Sequence, residues 1–252
     1  MDDGRAARDD LALREIEPNA PIGPMPFPAE DAPEKLYRFH PCGVTIEAPR
    51  SMLAPEIWEL LCTSRYEVDE LASLIGIVRP DDCVLELGAG LGFIGTFVAR
   101  SLKPRRIVSL EADPRVAALA RRTHELNGVE VDLRNALVAA EDGEVEFHLQ
   151  PAFWGSSTTW LPESTTVTLP AVSFSKLLTE VKPDVLILDI EGSEDGLFEG
   201  VDLTGVRCIS MEVHRRLIGL AGIRRVFMAL SAAGFAYEPS WSRGAIVVFV
   251  RA

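Results

Sequence analysis

The sequence predicts an α/β fold with a seven-stranded, mostly parallel sheet and a small N-terminal extension. From residue 82 onward, apolar runs of strand length alternate with helical segments, which is typical of a parallel sheet covered by helices. A glycine-rich turn within residues 83–95 joins the first of these strands to a helix. The last two strands are linked by a short turn around Ser242-Arg243-Gly244, so they must pair antiparallel. One reversed strand is therefore expected in an otherwise parallel sheet.

The chain divides into three segments by composition. Residues 1–35 are acidic and rich in proline, which breaks helices, and they are predicted to form a mobile arm. Residues 36–80 are predicted to form two short strands and then two helices. Residues 81–252 form the main domain, in which residues 184–190 are the best candidate for a central strand buried on both faces.

Composition excludes several classes of function. The 252 residues carry a net charge of −13, which argues against nucleic acid and against anionic membranes as partners. None of the four cysteines forms a C-x-x-C pair, so neither a zinc cluster nor a redox pair is predicted. With no signal peptide and no membrane-spanning apolar run, we expect a cytoplasmic protein that acts on a small molecule. A homo-oligomer is compatible with the sequence.

The glycine-rich turn is compatible with two cofactors. Gly90-x-Gly92-x-x-Gly95 fits the dinucleotide fingerprint, and the acid Glu111 follows about 20 residues later. S-adenosylmethionine (SAM) also explains Glu86, because a carboxylate suits the cationic methionyl end and would be poorly placed against a pyrophosphate. A tight turn with no ligand is the third alternative. The antiparallel ending favours SAM, since a dinucleotide domain would continue with parallel strands and crossover helices.

Three segments resemble the FkbM-type methyltransferases. They are residues 84–93 (Val-Leu-Glu-Leu-Gly-Ala-Gly-Leu-Gly-Phe), residues 108–114 (Val-Ser-Leu-Glu-Ala-Asp-Pro) and residues 182–194, which contain Asp189-Ile-Glu-Gly-Ser-Glu194. Asn135-Ala136 and Glu212-Val213-His214 fit the same scheme. The likeness spans roughly residues 66–250 and implies a Rossmann-like class I methyltransferase fold with SAM as cofactor. One departure is Glu86-Leu-Gly-Ala-Gly90, where the family usually shows Asp-x-Gly-Ala-Asn.

The resemblance also implies which residues hold the cofactor. The glycines would line its methionyl and ribose parts, Glu86 would meet its amino group, and Glu111 would accept hydrogen bonds from the ribose hydroxyls. Two further residues would touch the adenine. The predicted cofactor residues are Glu86, Gly88, Gly90, Gly92, Glu111, Asn135 and Ala136.

Asp189, Glu191 and His214 are the catalytic candidates. They follow adjacent predicted strands, at the edge where open α/β sheets bind their ligands. A hydroxyl acceptor must lose its proton, and His214 is better matched to that task than a carboxylate with an ordinary pKa. Two alternatives stay open: the three side chains hold a divalent ion, or His214 is a buried structural histidine. Glu194 is expected to cap a following helix.

The expected activity is O-methylation of a small molecule such as a sugar or a secondary metabolite. The Asn/Asp-Pro-Pro-aromatic segment that amino-methylating relatives use is absent after the fourth strand, which favours an oxygen acceptor. Trp154 and Trp160, in a loop predicted at residues 151–162, would either stack on the acceptor or pin the loop to the core. An NAD(P)-dependent oxidoreductase and a non-catalytic SAM-fold binding protein are the competing hypotheses.

Overall fold

The computed structural model describes residues 35–150 and 164–252. All but the last residue of the predicted arm, and the loop with Trp154 and Trp160, lie outside the described residues. The strands are β1 Leu36–Phe39, β2 Ile46–Pro49, β3 Cys83–Leu87, β4 Arg106–Glu111, β5 Asp132–Asn135, β6 Leu137–Ala139, β7 Gly143–Leu149, β8 Thr165–Ser173, β9 Val185–Leu188, β10 Cys208–Glu212, β11 Phe235–Tyr237 and β12 Ile246–Arg251. The α-helices are α1 Pro55–Cys62, α2 Val68–Ile77, α3 Phe93–Phe97, α4 Pro114–Asn127, α5 Phe174–Val181 and α6 Arg215–Ala232.

Seven strands form the central sheet in the order β11-β12-β10-β9-β3-β4-β5. Strands β5, β4, β3, β9 and β10 run parallel, whereas β12 is antiparallel to both β10 and β11. The predicted seven-stranded sheet with one reversed strand is therefore confirmed. Parallel strands place their carboxyl ends at one edge, so the residues that follow β3, β4, β9 and β10 meet there.

The central position predicted for the apolar run at residues 184–190 is confirmed by β9. This strand pairs in parallel with β3 on one side and with β10 on the other. All four of its residues are buried. A strand with neighbours on both edges and helices on both faces must be apolar throughout, which explains its Val-Leu-Ile-Leu sequence.

The sheet carries a hydrophobic core on each face. On one face the hairpin β1–β2 and helices α1 and α2 pack in the same cluster as α3, so Phe39, Leu74 and Phe93 share one core. On the other face α5 and α6 pack against the sheet through residues such as Leu177 and Leu230. The N-terminal elements thus bury part of the main sheet, and they bring the start of α2 to its carboxyl edge.

A second, three-stranded sheet with the order β6-β8-β7 lies beside β4 and β5. Strands β7 and β8 pair antiparallel over seven residue pairs. No helix in the described part of the chain is long and apolar enough to cross a membrane.

The segment after β9 contradicts one expectation. Residues 191–200 form a series of turns and no helix. The prediction that Glu194 caps a helix is therefore wrong, and its carboxylate has a different partner, described below. The Asp-x-Glu-Gly-x-Glu pattern did not distinguish a helix start from a tight turn, because acids and glycine suit both.

Candidate active site

The glycine turn brings β3 and β9 into close contact at the carboxyl edge of the sheet. Gly88 has φ +86°, and a Cβ atom built there would lie 1.8 Å from the carbonyl oxygen of Asp189. Its backbone N–H donates to the carbonyl of Leu110 at 2.9 Å. Only glycine allows this approach, and the contact places the end of β9 directly beside the turn.

Glu111, at the end of β4, holds the next part of the turn. Its Oε2 accepts a hydrogen bond from the N–H of Gly90 at 2.9 Å, and its Oε1 accepts one from the N–H of Asp113 at 2.9 Å. Burial raises the pKa of Glu111 to about 7, although these two backbone donors favour the ionised form. Asp113 caps α4 by accepting from the N–H of Arg115. Each oxygen of Glu111 keeps a lone pair for a ligand hydroxyl.

Asn135 and Ala136 lie beside Glu111, but most of their polar groups are already used. The side-chain amide of Asn135 donates to the carbonyls of Glu111 and Ala112 at 2.8 and 2.9 Å. The N–H of Ala136 donates to the carbonyl of Glu111 at 3.2 Å. Contact with an adenine is left to the amide oxygen of Asn135 and the methyl group of Ala136, so this role stays a prediction.

Glu86 is buried inside the turn, with 2% of its surface exposed. It accepts hydrogen bonds from the hydroxyl of Ser109 and from the N–H of Gly95. Burial nevertheless raises the pKa of Glu86 to about 7. The Glu86 carboxylate lies against the first turn of α3 and contributes negative charge to the site.

Gly92 is required for helix packing. It begins α3 with φ +76°, and a Cβ atom there would lie 2.9 Å from the backbone of Ala120 in α4. The glycine therefore lets α3 approach α4 closely. Its predicted contact with the cofactor would involve the backbone alone and stays a prediction.

His214 lies among four carboxylates just beyond the end of β10. Its Nδ1 contacts Oε1 of Glu194 at 3.3 Å, and its backbone N–H donates to the same oxygen at 2.8 Å. Its Nε2 faces Glu191 at 3.3 Å, Asp189 at 3.4 Å and Glu212 at 3.9 Å. The structure thus brings the three predicted catalytic residues together and adds Glu194 and Glu212 to them.

The ionisable groups in this cluster shift one another's pKa values. Burial alone would lower the pKa of His214, but the hydrogen bond to Glu194 and the charges of Glu191 and Asp189 outweigh it and raise the pKa. The pKa of Asp189 is raised by desolvation and then by the nearby Glu191 and Glu212. The Oδ1 atom of Asp189 is inaccessible to solvent and has no hydrogen-bond partner. Among the described residues that shift the pKa values of this cluster, the imidazole of His214 is the only one that can carry positive charge.

A small cleft connects the glycine turn to this cluster. It is lined by Glu67, Glu70, Leu74, Glu86, Gly88, Ile94, Ile187, Leu188, Asp189, Ser210, Met211, Glu212 and Ile246, and we call it the acidic cleft. Among the residues that the structure describes, five lining side chains are carboxylates and none is Lys or Arg. His214 contacts Asp189 of the cleft lining and also contacts Glu191. Glu111 is bonded to Gly90 of the glycine turn and lies outside the lining itself.

The same geometry suits a divalent ion. Asp189, Glu212 and His214 each offer one ligand atom, and these atoms lie within 4.8 Å of one another. The set is compact enough to surround a single cation. The structure therefore accommodates both sequence-based readings of the cluster, a proton acceptor and an ion site.

Four acidic residues of the site have no correct role from the sequence. The sequence assigns Glu194 to a helix cap and Glu212 to the family pattern only, gives Glu70 no role, and places Glu67 in a segment at a helix start that could cover the cofactor site. A short helix start at residues 65–67, just before the first strand of the sheet, was the available signal for Glu67. The signal for Glu194 was its position three residues after Glu191 in a glycine-containing turn.

Comparison with known families settles the class of the protein. The sequence model of the Methyltransferase FkbM domain matches residues 86–237, which is more than half of the 252 residues. The chain belongs to the FkbM methyltransferase family. The matched region includes the glycine turn, Glu111, and the whole cluster around His214, so the acidic cleft is the candidate active site of this FkbM methyltransferase. No curated protein matches the chain.

Solved structures provide only a general likeness in fold. M. jannaschii TYW2, in complex with AdoMet, is 14% identical, with a TM-score of 0.48 over 88% of this chain and 89% of that one. The precorrin-6y C5,15-methyltransferase of Geobacter metallireducens is 14% identical, with a TM-score of 0.47 over 79% and 92% of the two chains. A putative O-methyltransferase from Klebsiella pneumoniae is 14% identical, with a TM-score of 0.45 over 73% and 80%. Likeness at this level says nothing about the acceptor of this FkbM methyltransferase.

Proposed function

We propose that this FkbM methyltransferase transfers the methyl group of SAM to a hydroxyl oxygen of a small molecule. The observation that carries the proposal is the charge of the acidic cleft, whose lining within residues 35–150 and 164–252 has five carboxylates and neither Lys nor Arg. SAM carries a sulfonium and an ammonium group, and both are attracted to such a surface. The pyrophosphate of NAD(P) would be repelled by it, which argues against the oxidoreductase alternative.

The residues at the glycine turn are suited to hold SAM by its polar ends. Glu111 offers a free lone pair on each oxygen to the ribose hydroxyls, since each oxygen has one backbone N–H donor. Glu86 and the carboxylates around it supply negative charge near the methionyl end. Gly88 keeps the backbone close to the end of β9, so the cofactor and the cluster around His214 share one edge of the sheet.

The cluster around His214 is suited to remove the proton of an acceptor hydroxyl. Glu194 accepts from Nδ1, so Nε2 faces Asp189 and Glu191. The pKa of His214 is raised to about 9, so Nε2 holds a proton near neutral pH, and the imidazole acts as a base only in its deprotonated form, whose share rises with pH. SAM supplies an electrophilic methyl group on sulfur, and the transfer breaks the C–S bond, forms the C–O bond and leaves a neutral thioether. The hydroxyl proton passes to Nε2, where the surrounding carboxylates stabilise the imidazolium.

The acceptor we propose is uncharged, such as a sugar or a secondary metabolite. A phosphorylated or carboxylated acceptor would need a cationic side chain, and none lines the acidic cleft within the described residues. We further propose that the protein acts in the cytoplasm, with neither nucleic acid nor membrane as partner, because its net charge of −13 disfavours both. A homo-oligomer is compatible with this function.

Two measurements test the proposal in sequence. Calorimetric titration with S-adenosylhomocysteine and with NAD should show binding of the first ligand alone. A methyl-transfer screen with labelled SAM should then find activity on neutral hydroxylated compounds and none on matched amines. Binding of NAD in place of S-adenosylhomocysteine would support the oxidoreductase alternative, and transfer to amines would contradict the proposed acceptor.

A further inference from the structure

The segment that leads into helix α2 lies across the glycine turn. The ring of Tyr66 is buried and packs edge-on against Phe93, the first residue of α3, with 5.5 Å between the ring centroids. Its hydroxyl lies 3.7 Å from the position that a Cβ atom would occupy on Gly90. The aromatic contact thus anchors the start of α2 directly over the glycine turn.

Glu67, the next residue, has an unusual backbone conformation. It lies in the left-handed region, with φ 51° and ψ 30°, immediately before α2. Non-glycine residues adopt this conformation rarely, and at this position an acid commonly caps the helix. The side chain of Glu67 makes no capping hydrogen bond. It is directed to the glycine turn instead, with Oε1 4.0 Å from the Cβ position of Gly90.

The surroundings of the Glu67 carboxylate are acidic. It shares a hydrogen bond with Tyr66 and faces Glu70 from its own helix, and it is also influenced by Asp189 and Glu86 from the sheet. Desolvation and the charge of Glu70 are the main causes that raise the pKa of Glu67. Since no Lys or Arg lines the acidic cleft, the negative charge here has no cationic partner among the described lining residues.

Glu86 is less able than Glu67 to contact a ligand cation directly. It is 2% exposed, and its carboxylate is already bound to the Ser109 hydroxyl and the N–H of Gly95. Glu67 is partly exposed and lines the same cleft from the segment that leads into α2. A cation between the two would contact Glu67 directly and experience Glu86 as a charge behind it.

We propose that Glu67 binds the ammonium group at the methionyl end of SAM and thereby positions the cofactor. This inference rests on the proposed function, because it presupposes that the acidic cleft takes SAM. It gives the N-terminal elements a role in cofactor binding, although Glu67 lies outside residues 86–237, which the family model matches. The left-handed backbone conformation of Glu67 then directs its carboxylate toward the ligand.

Glu67→Gln tests this with two ligands that differ only at the end in question. S-adenosylhomocysteine carries the amino-acid end, whereas 5′-methylthioadenosine keeps the adenosine and the thioether and lacks that end. Loss of a charge-assisted hydrogen bond should weaken S-adenosylhomocysteine by about 10- to 100-fold and leave 5′-methylthioadenosine within about twofold of the wild-type affinity. Asp69→Asn, which removes an exposed carboxylate in the first turn of the same helix, is the matched control and should affect neither ligand.

A second variant separates binding from folding. Glu67→Gly suits the left-handed backbone, so it should fold at least as stably as the wild type by thermal denaturation and show the same selective loss. Unchanged binding of S-adenosylhomocysteine in both variants, or equal losses for the two ligands, would overturn the inference. If the wild-type protein itself binds neither ligand, the proposed function fails, and the role of Glu67 fails with it.

Discussion

The buried carboxylate of Glu194 accepts hydrogen bonds from both the backbone N–H and the Nδ1 of His214, at 2.8 and 3.3 Å. Glu194 has no exposed side-chain surface, whereas His214 is 13% exposed. A carboxylate behind one ring nitrogen orients the imidazole and leaves the other nitrogen for the acceptor, which is the arrangement of a histidine and its positioning residue.

Glu194→Gln should slow methyl transfer and leave cofactor binding intact. The amide keeps the shape of the side chain but removes the charge that stabilises the imidazolium, so we expect kcat to fall by about 10- to 100-fold. Affinity for S-adenosylhomocysteine should not change. In an NMR titration, the pKa of His214 should be lower than in the wild type, because one of the causes that raise it is gone.

The control for this variant is Glu199→Gln, an exposed acid of the same turn region. It should alter neither the rate nor the titration of His214. A purely structural role for Glu194 would instead show as a lower melting temperature with an unchanged rate in the remaining folded protein.

His214→Asn should remove the proposed proton acceptor. We expect kcat to fall by about 10²- to 10⁴-fold, which is the usual contribution of general base catalysis, with S-adenosylhomocysteine bound as before. The measurement is a single-turnover assay with labelled SAM and an acceptor from the screen. A variant that methylates at the wild-type rate would contradict the assignment.

Chelation distinguishes a base from an ion site. If His214 acts as the base, dialysis against EDTA should leave the rate unchanged. Loss of activity that Mg²⁺ or Mn²⁺ restores would show that Asp189, Glu212 and His214, whose ligand atoms lie within 4.8 Å of one another, hold an ion instead. Dialysis against the same buffer without EDTA serves as the control.

Glu86→Gln should stabilise the free protein at alkaline pH and weaken SAM binding. The folded state keeps a proton on Glu86 up to a pKa of about 7, whereas the unfolded chain releases it near 4.5. Below pH 4.5 this proton linkage contributes its full stabilisation to the folded state. The stabilisation is lost as the pH rises through about 7, and the free energy of unfolding falls by about 3 kcal/mol at most. A glutamine does not ionise and avoids that loss.

The difference between the unfolding free energies of Glu86→Gln and the wild type should therefore grow from about pH 5 to about pH 8.5, measured by denaturant titration. Glu146→Gln, which removes one exposed carboxylate, is the control. A difference that does not vary with pH would contradict the raised pKa. Weaker binding of S-adenosylhomocysteine in the same variant would show that the charge serves the cofactor at the expense of stability.

Gly88→Ala should severely damage the fold. The new Cβ would lie 1.8 Å from the carbonyl oxygen of Asp189, and backbone atoms of two adjacent central strands cannot move apart cheaply. We expect a loss of more than about 3 kcal/mol in the free energy of unfolding. Gly143→Ala is the matched control, because no atom lies within 4 Å of its Cβ position and its φ is not positive. A well-folded Gly88→Ala protein would show that the turn is not held as closely as described.

The mostly parallel sheet with one reversed strand and the buried character of β9 follow from the sequence alone. The Val-Leu-Ile-Leu run, the glycine turn after β3 and the short link between β11 and β12 are local signals, and each has a local physical cause in burial, backbone freedom or chain length. Because parallel strands share their carboxyl edge, these signals also predicted that Asp189, Glu191 and His214 would meet.

Tertiary structure alone decided which carboxylates surround them. Glu67 reaches the cleft because its own backbone is left-handed just before a helix. Glu194 points inward because residues 191–200 form turns where a helix was expected. Both outcomes depend on contacts between segments distant in sequence, such as Tyr66 on Phe93 and Glu194 on His214. Local propensity carries no information about such contacts, since their energy exists only once the segments are packed together.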